Sequence, residues 1–316
     1  MSISFDPASD LAEKMLKVNF VVMDVDGTIT SSDDRTALAV SQILGRLKRA
    51  NVRWSFATGR SIAGLYATVR NVLSLQKSRL AAPAICYNGA VVFVPGEPSI
   101  LSTKTISRDD VRAILETGRR LQLPASVYTC ASVLGVPMEL VYTDVAERAS
   151  ELDINFMPFQ YARDWSLVDL NNTVAVLLEL PPGRPNVHLS EIRESLASSV
   201  RVTSSGGPFY EFTTCDTSKG LALEGMIGGI HSLGARYKAW SKFSNIAVET
   251  TMAIGDNLND IDMIQAAGVG VAVSNSRDEV KEIADLVTTL PAGRGAVEAL
   301  RLLLDVKKYR APYERI

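Results

Sequence analysis

The chain has 316 residues, 47% of them hydrophobic, with a mean hydropathy of +0.11, a formal net charge of −2 and a pI of about 5.8. That supplies apolar material for a large core and length for about two domains; the charge balance argues against a nucleic-acid footprint, and no apolar run nears the roughly 18 residues of a membrane span. The opening MSISFDPASDLAEKMLKVNF carries early acidic residues and no apolar h-region, so it is not read as a secretory signal, and the scattered Cys86, Cys130 and Cys215 read as thiols of a reducing cytosol.

Residues 1–17 read as a leader with a short helix over 10–17. Phe20-Val21-Val22-Met23 is an apolar run of the kind buried on both faces of a sheet, within a strand of about 18–25. Asp24 and Asp26 follow, two apart and so on one side of an extended chain. Gly27 then permits an unusual turn. In an open α/β sheet, the carboxyl end of a central strand is where ligands bind. Two carboxylates so close need a cation or a shared proton. Such a pair suits a nucleophile that attacks phosphorus beside an acid/base; the bland alternative is a solvated Asp-Gly turn.

Asp33 or Asp34 can cap a helix in which Ala37, Val40, Leu44 and Leu47 recur at helical spacing. A second strand over 53–57 ends in Thr58-Gly59-Arg60-Ser61, ahead of a helical stripe of Ile62, Leu65, Val69 and Leu73. Thr58 is placed either to hold an anion or simply to cap that helix. Pro83–Tyr87 is a third strand, closed by Asn88-Gly89. This alternation implies parallel pairing with right-handed crossovers.

The rhythm changes at residue 90. Ala90–Val94 and Ile100–Thr105 flank Pro95-Gly96-Glu97-Pro98, a hairpin signal. A helix to about Leu121 follows, then short strands near 125–130 and 138–142, and a looser polar stretch with Arg163, Asp164 and Trp165, read as loop surface. Thr173–Leu180 is a strong strand. A helix near 187–198 and strands near 200–204 and 208–213 complete an α+β block with an antiparallel sheet, placed at 90–213 and inserted into the first domain. The α/β pattern resumes with a helix over Lys219–Ile227. Next come a strand over 251–254 and the turn Gly255-Asp256-Asn257-Leu258-Asn259-Asp260. Strands at 269–273 and 286–288, with a helix near 277–283 between them, precede a final helix over 296–306.

On a parallel sheet all these strand ends share one rim. Asp24, Asp26, Asp256 and Asp260 then stand together with Thr58 and Lys219. Carboxylates in that number call for a hard cation, and Mg²⁺ suits carboxylates, carbonyls and phosphate. A lysine among them neutralises carboxylate and phosphate charge.

The set resembles the haloacid dehalogenase (HAD) superfamily. Asp24-Val25-Asp26-Gly27-Thr28 is similar to its first motif, Thr58 to its second, Lys219 to its third and Gly255–Asp260 to its fourth. Ala57-Thr58-Gly59-Arg60, Asn88-Gly89-Ala90 and Ser218-Lys219-Gly220 resemble the Cof-type (class IIB) branch. The interval from Asp24 to Thr58 holds one helix and one strand, whereas that from Thr58 to Lys219 holds the whole α+β block, as in members with a large cap after the third strand.

The resemblance implies a Rossmann-like parallel-sheet HAD core at 1–89 and 214–316 with an α+β cap at 90–213. It implies an Mg²⁺-dependent phosphatase in the cytoplasm, acting on a sugar phosphate or similar small phosphorylated metabolite, with no nucleic-acid or membrane partner. Asp24 is then the nucleophile and Asp26 the acid/base. Thr58, Gly59 and Lys219 bind the phosphoryl group, Asn88 faces the substrate, and Asn257 orients its neighbours on the substrate side. Asp24, the backbone carbonyl of Asp26, Asp256 and Asp260 serve the metal. The alternatives are a phosphosugar mutase of this fold and a non-catalytic sugar-phosphate-binding protein. Oligomeric state is not legible.

Overall fold

The computed structural model describes residues 9–30, 34–71, 82–94, 99–133, 136–145, 157–181, 189–203, 209–236, 243 and 245–310. Its strands in chain order are β1 (Phe20–Met23), β2 (Arg53–Phe56), β3 (Ala84–Cys86), β4 (Val91–Val94), β5 (Ser99–Thr103), β6 (Ala125–Val133), β7 (Val136–Thr143), β8 (Phe159–Tyr161), β9 (Thr173–Glu179), β10 (Val200–Thr203), β11 (Phe209–Thr214), β12 (Thr251–Gly255), β13 (Val269–Ala272) and β14 (Leu286–Val287).

A parallel sheet in the order β14-β13-β12-β1-β2 forms the core. β1 lies at its centre, with Met23 opposite Ile254 on one side and Phe56 on the other. The period-2 alternation of a strand explains why all four of its residues are apolar. Val21 and Met23 face Leu44 and Leu47 of the helix Asp34–Arg49 and Leu300 and Leu303 of the helix Ala292–Arg310. Phe20 and Val22 face the other way, towards Leu223 and Met226 of the helix Lys219–Arg236 and Met263 of the helix Ile261–Ala266. Both faces are thus covered by helices, and the strand ends of one rim are left free of them.

β3 continues this sheet through a parallel bridge between Ala57 and Ile85, then turns into the antiparallel pairs β3-β4 and β4-β5. Val92 and Val94 pack in the same cluster as Phe20 and Val22, so this hairpin lies against the core. The hairpin residues 95–98 and the capping candidate Asp33 lie outside the described residues.

A second sheet runs β10-β11-β9-β6-β7-β8, antiparallel except for the β7–β8 pair. Tyr210 and Phe212 on β11, Val176 and Leu178 on β9 and Val127 on β6 meet Val111 and Ile114 of the helix Arg108–Leu121 and Ile192 of the helix Leu189–Ser195. The intervening residues of the same strands, including Glu211 and Tyr128, point away from these helices and towards the core.

Two elements depart from the sequence reading. The polar stretch with Trp165 contains the short edge strand β8, whose register comes from β7 and not from its own pattern. Trp165 donates its Nε1–H to Asp144, and Asp164 accepts from Ser166 N. The helix beginning at Lys219 runs on to Arg236 through Gly228 and Gly229. Two adjacent glycines weaken a helix, but Met226, Ile227 and Ile230 on its buried face hold it together.

Candidate active site

β1 delivers Asp24 to this rim of the core sheet. Its N–H donates to Ile254 O at 2.9 Å, so the ladder to β12 extends one residue past the strand. Asp24 is 5% exposed. The chain then turns at Gly27, where φ is +79° and a Cβ would stand 2.4 Å from Asp256 Oδ2. Only glycine fits both the left-handed backbone and that gap. The turn brings Thr28 back, and its Oγ1 donates to Asp256 Oδ1 at 2.7 Å.

Lys219, the first residue of its helix, is wholly buried. Its Nζ donates to Asp24 Oδ1 at 2.6 Å and to Asp260 Oδ1 at 2.7 Å. Asp260 spends its other oxygen on the N–H groups of Asp256 and Asn257, at 2.9 and 3.0 Å. One carboxylate therefore folds the 255–260 turn and fixes the lysine as well.

The electrostatics follow from burial. Desolvation pushes the Asp24 carboxyl well above the usual range; Lys219 opposes this, while Asp260 and Asp256 add to it. Burial likewise raises Asp256 to about 6, against the bond from Thr28. Burial would lower the Lys219 ammonium, but Asp24 and Asp260 outweigh it and hold its pKa above the ordinary value.

Asp24, Asp256 and Asp260 each offer an oxygen, and these atoms lie within 4.8 Å of one another. When ionised, three carboxylates beside one ammonium leave two negative charges, which one divalent cation would balance. The donors are all oxygen, as hard cations prefer. These residues fit Mg²⁺.

The other residues singled out from sequence take more varied places. Thr58 is buried, and its Oγ1 accepts from Arg60 N at 3.1 Å. Gly59 lies beside Asn88: a Cβ there would be 3.1 Å from Asn88 Nδ2. Asp26 points outward, its carboxylate gripped by Arg60 through Nε at 2.8 Å and one terminal nitrogen at 2.7 Å. Asn88 is buried and donates to Glu211 Oε2 at 2.8 Å. Asn257 accepts from Leu258 N, as the cap of the short turn Leu258–Asp260.

Asn259, two residues on, is the asparagine that reaches Asn88, at 2.9 Å. Arg60, Asn259, Glu139 and Glu211 were not singled out from sequence as site residues. Arg60 and Asn259 sit inside the quoted motifs, so their positions gave a signal. The two glutamates reach the site only through docking of the second sheet, which no local pattern reports.

Residues 21–300 match the family model described as haloacid dehalogenase-like hydrolase. The phosphoglycolate phosphatase of Archaeoglobus fulgidus is 25% identical over 292 residues, covering 92% of this chain and 98% of the relative. A haloacid dehalogenase-like hydrolase from Bacteroides thetaiotaomicron shares the fold with a TM-score of 0.71 at 22% identity, covering 90% of this chain and 99% of that one. A subclass IIB sugar phosphatase of the same superfamily shares it with a TM-score of 0.67 at 20% identity, covering 92% and 100%.

Proposed function

This chain belongs to the haloacid dehalogenase-like hydrolases, and on that premise we propose that it is an Mg²⁺-dependent phosphatase of small phosphorylated metabolites, with sugar phosphates as the leading class. The observation that carries this reading is the meeting of Lys219 with Asp24 and Asp260, beside Asp256, on this rim of the core sheet. The names of relatives that act on phosphoglycolate and on sugar phosphates support the substrate class.

Asp24 attacks the phosphorus in line, forming a bond from its carboxylate oxygen as the bond to the leaving oxygen breaks. Lys219 holds Asp24 Oδ1 and so fixes the rotamer of the nucleophile. Asp26 gives its proton to the leaving oxygen. As a carboxylate it then takes a proton from the water that attacks the aspartyl-phosphate. Inorganic phosphate departs and Asp24 is restored. Thr58, the Gly59 backbone and Lys219 hold the phosphoryl oxygens as their charge shifts. Asp24, Asp256, Asp260 and the Asp26 carbonyl would hold Mg²⁺, which when bound supplies charge neutralisation at the phosphoryl group.

In this reading, segments 1–89 and 214–316 carry out the chemistry, and 90–213 covers the site and selects the leaving group. Within that block the β4–β5 hairpin packs against the core, so the covering part is the remainder. We place the enzyme in the cytoplasm, in keeping with its free thiols; among the described residues no helix is long and apolar enough to cross a membrane. Neither nucleic acid nor membrane is a proposed partner.

A screen of phosphate release tests the reading, with purified protein, Mg²⁺ and panels of sugar, polyol, nucleotide and carboxylic-acid phosphates. Mg²⁺-dependent release from at least one small class is expected. No release from any panel, aryl phosphates included, would contradict it.

A further inference from the structure

The turn after β3 holds two consecutive residues, neither of them glycine, in the left-handed region: Tyr87 at φ 50° and Asn88 at φ 52°. A Cβ crowds the following carbonyl there, which disfavours Tyr87 most, since asparagine tolerates the region better. Strain of this kind persists where the surroundings over-determine it. Here two parts of the molecule grip the turn at once.

On the core side, Tyr87 N–H donates to Arg60 O and Asn88 N–H to Thr58 O, each at 3.0 Å. Both backbone bonds end on the loop that follows β2. From the other sheet come two glutamates. The Tyr87 hydroxyl donates to Glu139 Oε1 on β7 at 2.6 Å, and Asn88 Nδ2 donates to Glu211 Oε2 on β11 at 2.8 Å. Glu139 also accepts from Ile62 N at 2.8 Å and Ala63 N at 2.9 Å. These are the first amides of the helix Ile62–Asn71, which no bond within a helix can satisfy. The carboxylate thus meets the positive end of that helix as well as the tyrosine.

Placing two acids there, Glu211 buried and Glu139 half-buried, has a cost. Burial pushes the Glu139 carboxyl up against the bonds from Tyr87, Ala63 and Ile62. It pushes Glu211 up to about 7, against Asn88 and Lys219. A sheet that only packed on the core would place apolar side chains at these positions. These two acids instead take adjacent side chains of one strained turn.

We propose that Glu139 and Glu211 are positioning residues that act through Tyr87 and Asn88: the docked cap holds the strained turn, and the turn, through the carbonyls of Thr58 and Arg60, holds Thr58 and the Gly59 backbone in the geometry that receives a phosphoryl group. This rests on the reading of the 58–60 loop given above. Cap closure and anion binding are then coupled, and each favours the other by the same factor.

Binding of inorganic phosphate to the full chain in Mg²⁺, measured by calorimetry, tests this in wild type, Tyr87→Phe, Glu139→Gln, Glu211→Ala, Glu211→Gln and the Tyr87→Phe/Glu139→Gln double variant. Tyr87→Phe removes one hydroxyl and keeps the ring. Tyr87→Phe, Glu139→Gln and Glu211→Ala are each expected to weaken phosphate binding about tenfold. The double variant should be no weaker than its weaker parent, because both changes break one link. Glu211→Gln keeps a carbonyl for Asn88 and should recover most of the Glu211→Ala loss. Glu139→Gln does not recover, because its amide would face N–H donors. Wild-type affinity in Tyr87→Phe and Glu211→Ala, or additive losses in the double variant, would overturn the inference alone. Absence of phosphate binding in wild type would overturn the phosphate-loop reading beneath it.

Discussion

Arg60 closes on Asp26 with two parallel hydrogen bonds, at 2.8 and 2.7 Å, across the mouth of the site. This two-pronged geometry fixes the orientation of the carboxylate, here the group assigned to leaving-group protonation. Both carboxylate oxygens accept from the guanidinium in this pose, so the pair must open before Asp26 can pass a proton to a leaving oxygen. Asp26→Ala should lower kcat about a hundredfold for alkyl phosphates, whose leaving oxygens need a proton, and less for aryl phosphates. Both side chains are well exposed, 36% and 54%, so the pair contributes under about 1 kcal/mol to stability and Tm should scarcely move. Equal kcat losses on the two substrate classes would count against the role.

Lys219→Met removes the ammonium from between two buried carboxylates. Breaking one partner out of a buried ion cluster costs roughly 3–5 kcal/mol, and turnover should fall by about three orders of magnitude. Thermal unfolding in EDTA and in Mg²⁺ checks the account. The variant should unfold well below wild type in EDTA, and Mg²⁺ should restore part of the gap. A Tm equal to wild type in EDTA would show that the lysine is not the local counter-charge.

Mg²⁺ should raise the Tm of the wild type, by about 2.7 kcal/mol of stability at a hundredfold excess over Kd. Asp256→Asn should blunt that rise. The Asp256 carboxyl is raised to about 6, so protons compete with the metal below that pH, and the Mg²⁺ response should weaken between pH 7.5 and pH 5. Melting curves at the two pH values decide this. An undiminished response in Asp256→Asn would remove that residue from the metal set.

Glu211 titrates at about 7 in the folded chain, above its ordinary 4.5. Below 4.5 it is protonated in both the folded and the unfolded states. As pH rises from 4.5 to 7, the unfolded chain ionises first, and the stability favouring the protonated fold is progressively lost. The full span corresponds to about 3 kcal/mol. Glu211→Gln cannot ionise, so its Tm relative to wild type should climb through that window and level off above 7. A pH-independent difference would contradict the buried, raised acid.

Much of the fold was legible because the core strands carry their own signal. Phe20–Met23 and Met252–Ile254 are apolar runs that end in carboxylates, and they lie side by side in the sheet. The cluster of Asp24, Lys219, Asp256 and Asp260 follows from that parallel order, since strand ends on one rim converge. β8 was not legible, because an edge strand of three exposed residues borrows its pairing from β7. Nor were Glu139 and Glu211, whose partners Tyr87 and Asn88 lie far away in sequence, in the turn after β3. An acid within a strand reads as a solvent-facing position until docking puts it under a second layer. Asn257 and Asn259 both fit a turn in sequence, and only the direction of the turn separates them.

In the proposed reaction Asp24 is the group that receives the phosphoryl. The direct measurement is turnover of an aryl phosphate by Asp24→Asn, with circular dichroism and Tm to show that the fold is retained. A folded protein with turnover reduced at least about a thousandfold is expected. A folded Asp24→Asn variant that releases phosphate at the wild-type rate would contradict it.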